Sequence, residues 1–338
     1  MGIKAFITGL AGTEVTQAEQ NFLYQEHPWG LILFARNIED RKQVRKLVDQ
    51  FRDAVGRADA PVLIDQEGGR VQRLKPPVWP KYASGEVLAN LWRKNRKAGE
   101  RAIYLQSRLM AHDLAEVGIN VDCLPVLDVP VKDGHDVIGD RAYSTDPNEV
   151  AKMGRFACQG LLSGGVLPVI KHIPGHGRAM ADSHLELPIV DASLKELRET
   201  DFVPFKALND MPMAMTAHVR YQNLDETNCA TVSKTIIDNI IRGEIGFNGL
   251  LMSDDLSMQA LEGDFAERSE ACFEAGCDML LHCNGQMAEM EEIAAICHVL
   301  EGDALERAQS ALEQISEPDE IDVDALHQEL SSLLEASA

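Results

Sequence analysis

Residues 166–177 read Val-Leu-Pro-Val-Ile-Lys-His-Ile-Pro-Gly-His-Gly, an apolar run that ends in a lysine and a histidine and passes into a glycine-rich turn. A continuous Val/Ile/Leu run is what a parallel strand covered on both faces requires. Placing Lys171 and His172 at the tip of such a strand costs free energy that pairing or a ligand must offset. The segment therefore predicts a buried parallel strand whose C-terminal end opens on a site. A capped turn around a core histidine is the structural alternative, because perturbed ionisable groups mark functional sites only statistically.

Seven further short apolar runs accompany it: Ile3–Leu10, Gly30–Phe34, Pro61–Ile64, Val121–Val129, Met213–Thr216, Gly249–Met252 and Asp278–His282. Helical signals lie between them, from Thr13 onward and over Asp40–Val55, Lys97–Val117, Pro147–Leu162, Ser193–Leu208, Ser233–Arg242, Asp264–Ala275 and Met287–Leu300. Strands alternating with helices indicate βαβ units and a parallel sheet. Eight such units match a (β/α)₈ TIM barrel, with a doubly wound sheet as the alternative that periodicity alone leaves open. Polar residues end six of the runs: Asp65, Asp128, Lys171 with His172, His218, Asp254 and Asn284. They converge only if the sheet closes, and barrel active sites are built at that face. Two long connections, Gly69–Asn95 and Pro174–Val190, are expected to be binding loops or lids. Without a repeat, linker or low-complexity tract, residues 1–338 are expected to form a single α/β domain.

The chain carries 32 Lys and Arg against 54 Asp and Glu, a formal charge of −22. Such a surface repels phosphate backbones and anionic lipids, so neither nucleic acid nor a membrane is expected as a partner. Seven cysteines without a CxxC pair argue against a disulfide framework. No run approaches the ~18 apolar residues of a membrane span. The first residues look like a strand rather than a leader, and a cytoplasmic enzyme is the expectation.

Four segments carry candidate chemistry. In MSDDL, period-2 alternation sends one of Asp254 and Asp255 into the barrel mouth and the other away, though a helix N-cap is an equally ordinary use of Asp. Asp182 and His184 stand two apart, so in an extended loop both can face one way as a hydrogen-bonded dyad; a solvated loop pair is the plainer reading. Histidine, with a reference pKa of about 6.5, suits a group that donates a proton and later recovers it. In IDQEGGRVQRL, Asp65 can accept sugar hydroxyls while Arg70 or Arg73 donates, and Gly139-Asp140-Arg141 offers a further guanidinium. His172 and His176 invite a metal reading, but Pro174 and Gly175 between them spoil the helical geometry an HxxxH site needs, so no metal and no cofactor is expected. Lys171 as a Schiff-base lysine of a barrel lyase or aldolase competes more seriously.

Taken together, IDQEGGRVQRL, VIGDRAYS, VIKHIPGHG followed by DSH, MAMTAHV, MSDDLSM and AGCDMLLHCN, in this order, resemble the β-N-acetylhexosaminidases of glycoside hydrolase family 3. The resemblance runs from about Gly30 to Asn284, and KH-x-PGHG with the downstream DSH is its most specific mark. It implies a retaining exo-β-N-acetylglucosaminidase with Asp254 as nucleophile, His184 as acid/base and Asp182 as the partner of His184. Asp65, Arg73, Arg141, Lys171 and His172 match the family's sugar-binding positions. The resemblance further implies a bacterial cytoplasmic enzyme, expected to be monomeric, acting on GlcNAc-containing muropeptides such as GlcNAc-1,6-anhydroMurNAc peptides. Ile173 and Tyr143 depart from the family's usual Phe, and Lys75–Lys94 is less recognisable. A phosphorylase, in which phosphate replaces water in the second step, stays open beside the hydrolase.

Overall fold

The computed structural model describes residues 2–131, 136–183 and 185–336. Eight parallel strands close into a barrel in strictly sequential order: β1 Lys4–Thr8, β2 Pro28–Leu33, β3 Val62–Ile64, β4 Val121–Asp122, β5 Leu167–Ile173, β6 Met213–Thr216, β7 Leu250–Asp255 and β8 Met279–His282. Closure is made by β1 against β8, with Phe6 opposite Leu280 and Thr8 opposite His282. The expected barrel is therefore the fold, and the doubly wound alternative is excluded by the closed sheet.

Side-chain alternation splits the core into two layers. Ala5, Ile7, Ile32, Leu63, Val121, Val169, Met213, Met215, Leu250, Met252, Met279 and Leu281 fill the barrel interior. Their neighbours Phe6, Leu31, Leu33, Val62, Ile64, Leu251 and Leu280 point outward into the helical shell. The helix Arg41–Val55 shows how that shell is built. Asp40 caps it by accepting the Gln43 N–H at 2.9 Å, and Val44, Leu47, Val48, Phe51 and Val55 form one buried stripe. Gly56 ends it at φ +67°, where a side chain is strained. Truncating a buried Phe such as Phe51 to Ala costs about 3–5 kcal/mol.

Three segments differ from the sequence expectation. The Gly69–Asn95 connection is not plain loop: a small hairpin pairs Gln66–Gly68 with Val71–Gln72, and a helix covers Gly85–Lys94. The Ser193–Leu208 helix breaks into Leu194–Glu199 and Phe202–Ala207. Pro204 has no N–H for the carbonyl of Thr200, and it fits only in the first turn of a new helix. The Val121–Val129 run is a continuous strand only over Val121–Asp122; Pro125 cannot donate to the ladder, and pairing resumes as a single bridge of Val126 with Lys171. Among the described residues no helix is long and apolar enough to cross a membrane.

Candidate active site

The end of β5 delivers Lys171 and His172 to the barrel mouth. Strict alternation would send these neighbours to opposite faces, but the β5–β6 register shifts between Lys171 and Ile173, and both side chains line the same cavity. Lys171 is 2% exposed, with Nζ 2.8 Å from Asp65 Oδ1 and 2.7 Å from Glu67 Oε1. Arg141 grips Glu67 with two prongs, Nε to Oε2 and Nη2 to Oε1, each 2.8 Å. Arg73 Nη2 reaches Asp65 Oδ2 at 3.1 Å. Gly68 and Gly69, at φ +90° and +58°, make the turn that brings Arg73 back over Asp65.

This network fixes the charge of Asp65, Glu67 and Lys171. Burial pushes the Asp65 carboxyl up, but Lys171 and Arg73 outweigh it and hold it below the usual carboxylate range. Glu67, opposed in the same way by burial, is held down to about 2 by Arg141 and Lys171. Burial would push the Lys171 ammonium down, yet Asp65 and Glu67 raise it above the ordinary lysine value. A lysine so held does not supply the neutral amine that a Schiff base needs, which removes the lyase reading. Losing one member of such a buried set leaves an uncompensated charge, at a cost of about 3–5 kcal/mol.

Asp128 organises the second half of the turn. Its Oδ2 lies 2.7 Å from His172 Nδ1, and its Oδ1 accepts the main-chain N–H of His176 at 2.6 Å and of His172 at 3.2 Å. A carboxylate acceptor places the His172 proton on Nδ1. Despite burial, Asp128 is held down to about 2, chiefly by His172. The His176 ring stands edge-on to His172 at 5.6 Å, with Nε2 3.3 Å from Ser183 Oγ. Burial, with His172 beside it, lowers the His176 pKa to about 4. Among the described residues no group of three or more His, Cys, Asp or Glu side chains is arranged to hold a metal ion.

These shifts set an acid-side stability profile. His176 takes its proton near pH 4 when folded and near 6.5 when unfolded. Between those values the unfolded chain binds more protons, so stability falls as pH drops. Glu67 and Asp128 are depressed to about 2, and they extend the loss from their unfolded values of about 4 down to that pH. The denaturant midpoint is expected to decline from about pH 6.5 downward. His176→Phe is expected to flatten the part above pH 4; an unchanged slope there would remove His176 as its origin.

At the end of β7 the adjacent aspartates have different work. Asp255 Oδ1 accepts the N–H groups of Ser257 at 3.0 Å and Cys283 at 3.1 Å, and Oδ2 accepts the Ser257 hydroxyl at 2.6 Å. Its carboxylate is thereby tied to the turn that follows β7 and to the end of β8. Asp254 also borders the cavity, and its Oδ1 accepts the Asp255 N–H at 2.8 Å. The alternation expected for MSDDL does not hold, because the strand register shifts between Met252 and Asp255 and both aspartates border the cavity; they differ in that the Asp255 carboxylate is tied to the turn.

Asp65, Arg73, Arg141, Lys171, His172 and Asp254 all border one cavity of about 170 Å³. Ser183, from the loop that carries Asp182, borders it as well. Asp182 starts a turn there, its carbonyl accepting the N–H groups of Leu185 and Glu186. His184 lies outside the described residues. Arg70, offered as an alternative to Arg73, instead donates to the carbonyls of Asp136, Val137 and Ile138 and pairs with Asp140. Asp128, expected only as one of the converging strand ends, organises the histidine turn, and Glu67, given no place by the sequence, pairs with Lys171 and Arg141. Glu67 stands two after Asp65 in an extended segment, a spacing that puts both carboxylates on one side.

The model of the glycosyl hydrolase family 3 N terminal domain matches residues 5–316. The β-hexosaminidase of Tolumonas auensis is 37% identical over 89% of this chain and 88% of its own length. That of Idiomarina loihiensis is 37% identical over 90% and 91%. The crystal structure of NagZ from Neisseria gonorrhoeae in complex with N-trifluoroacetyl-D-glucosamine superposes at a TM-score of 0.88 with 30% identity, covering 100% of this chain and 99% of that one. With a closed barrel whose mouth gathers the charged set of Asp65, Lys171 and Arg141 beside Asp254, the chain belongs to glycosyl hydrolase family 3, as a β-N-acetylhexosaminidase acting on a carbohydrate.

Proposed function

We propose that this β-N-acetylglucosaminidase removes terminal GlcNAc from muropeptides such as GlcNAc-1,6-anhydroMurNAc peptides, by double displacement with retention. Asp254 attacks the anomeric carbon as His184 protonates the leaving oxygen, giving a covalent glycosyl-enzyme; His184 then takes a proton from the water that releases the sugar. Asp182 orients His184. Asp65, Arg73, Arg141, Lys171 and His172 bind the sugar hydroxyls, for which a fixed array of charged donors and acceptors is suited. The observation that carries this reading is the difference between the two aspartates that border the cavity: the Asp255 carboxylate is taken up by Ser257 and Cys283, whereas Asp254 Oδ1 accepts the neighbouring Asp255 N–H. A histidine donor also avoids setting a second anion beside Asp254, where like charges would raise one carboxyl's pKa.

The same reading takes one barrel, working as a cytoplasmic monomer, as the whole catalytic unit. The test is hydrolysis of a GlcNAc-anhydroMurNAc fragment followed by NMR, with and without phosphate. β-GlcNAc is expected to appear first and the rate to be indifferent to phosphate. Accumulation of GlcNAc-1-phosphate would make the enzyme a phosphorylase, and first appearance of the α-anomer would exclude retention.

A further inference from the structure

His218, from the MTAHV segment after β6, has no part in the chemistry above, yet it is fully buried. Its Nε2 lies 3.0 Å from the main-chain carbonyl of Asp255, and its Nδ1 lies 2.7 Å from Thr231 Oγ1. Thr231 Oγ1 is in turn 2.8 Å from Thr216 Oγ1, with the Ala217 carbonyl a longer competing acceptor at 3.2 Å. A carbonyl only accepts, so Nε2 carries the proton. Burial lowers the ring's pKa, which leaves it neutral and Nδ1 a bare lone pair. The Thr231 hydroxyl then donates to Nδ1, and the Thr216 hydroxyl donates to Thr231. One carbonyl sets every proton direction along the relay.

The relay ends on the residue that aims Asp254. Asp255 is held through its carbonyl by His218 and through its carboxylate by Ser257 and Cys283. Its own N–H is the donor to Asp254 Oδ1. With carbonyl and carboxylate both held, the Asp255 Cα is held, and with it the point from which the N–H meets the Asp254 carboxylate.

We propose that His218 is a positioning residue for the glycosidase reaction: in its neutral Nε2–H tautomer it locks Asp255, and Asp255 orients the nucleophilic oxygen of Asp254. This rests on the assignment of Asp254 as nucleophile. A misplacement of about 1 Å in a reacting group costs on the order of 10²-fold in rate. His218→Phe, which keeps ring volume but no donor, is expected to lower kcat/KM by about 10- to 100-fold. The loss should be equal on activated aryl and on unactivated N-acetylglucosaminides, because attack is impaired and leaving-group protonation is not. His218→Gln, whose amide can both donate to Asp255 and accept from Thr231, is expected to recover part of it. If His218→Phe does not fold, Thr231→Val provides the same comparison with a smaller loss.

Two readouts separate this from a merely structural role. Nitrogen-15 NMR of histidine-labelled enzyme is expected to show His218 as the neutral Nε2–H tautomer at neutral pH; an Nδ1–H or cationic ring there would overturn the proposal. So would a lowered melting temperature with unchanged kcat/KM, or a loss confined to poor leaving groups. A fluorinated N-acetylglucosaminyl donor that accumulates the glycosyl-enzyme distinguishes the two layers of argument. Label on another residue would defeat the nucleophile assignment, whereas label on Asp254 with His218→Phe at full rate would defeat only this inference.

Discussion

Asp254→Asn is expected to lower turnover by on the order of 10⁴- to 10⁶-fold, the span of losses seen when single members of a nucleophilic catalytic set are removed, while the melting temperature stays within a few degrees. The substitution is isosteric, and an amide oxygen still accepts the Asp255 N–H that now meets Asp254 Oδ1 at 2.8 Å. What disappears is the charge that attacks the anomeric carbon. Asp255→Asn has a different profile. It weakens the hydrogen bonds to Ser257 and Cys283, so it lowers stability, and it lowers turnover far less than Asp254→Asn because it loosens the nucleophile's neighbour without removing the nucleophile. Steady-state kinetics and thermal melts of both variants settle the matter, and near-normal turnover in Asp254→Asn with loss in Asp255→Asn would reverse the assignment within MSDDL.

The second large effect is expected at His184. Replacing it with Ala should slow substrates with poor leaving groups by about 10²- to 10⁴-fold, the usual contribution of general acid catalysis, and slow activated aryl glycosides far less at the bond-breaking step. An aryl oxide departs without a proton; a sugar alkoxide does not. Asp182→Ala should give a milder version of the same pattern, because it orients the histidine and transfers no proton to the substrate. A Brønsted plot across leaving groups measures this directly, and equal losses along the series would exclude His184 as the acid.

The barrel was legible because its strands are short apolar runs, six of which meet a polar residue at the same end. That regularity located Asp65, Lys171, His172 and Asp254 around one cavity before any distance was known. Pairing inside the cavity was less legible. Lys171 bonds residues 106 positions away in the case of Asp65, and only the closed sheet brings them together. Glu67 could have been found from its period-2 spacing with Asp65, whereas its partner Arg141 comes from a separate loop. The helix Gly85–Lys94 was missed because it starts at Ser84 without a side-chain capping bond and hides its apolar stripe, Leu88, Leu91 and Trp92, inside a long connection. Thr231 gave no signal: a threonine in a single helical turn, Ala230–Val232, becomes part of a relay only once it is packed against the end of β6.

The pairing of β1 with β8 has a consequence for how the chain is made. Phe6 finds its lateral partner only at Leu280, so during synthesis most of the protein emerges before the first strand can be covered on both sides. Until then β1 presents an open hydrogen-bonding edge, the kind of surface that recruits other strands. Contacts of such sequence separation form slowly, since loop-closure entropy is lost before they reward it. The seam that completes the barrel is therefore also where a nascent chain is most exposed to misassembly. Because Asp255 binds Cys283 at the end of β8, the last strand to arrive is also the one that finishes fastening the nucleophile's neighbour: the catalytic centre is assembled only when the barrel has closed.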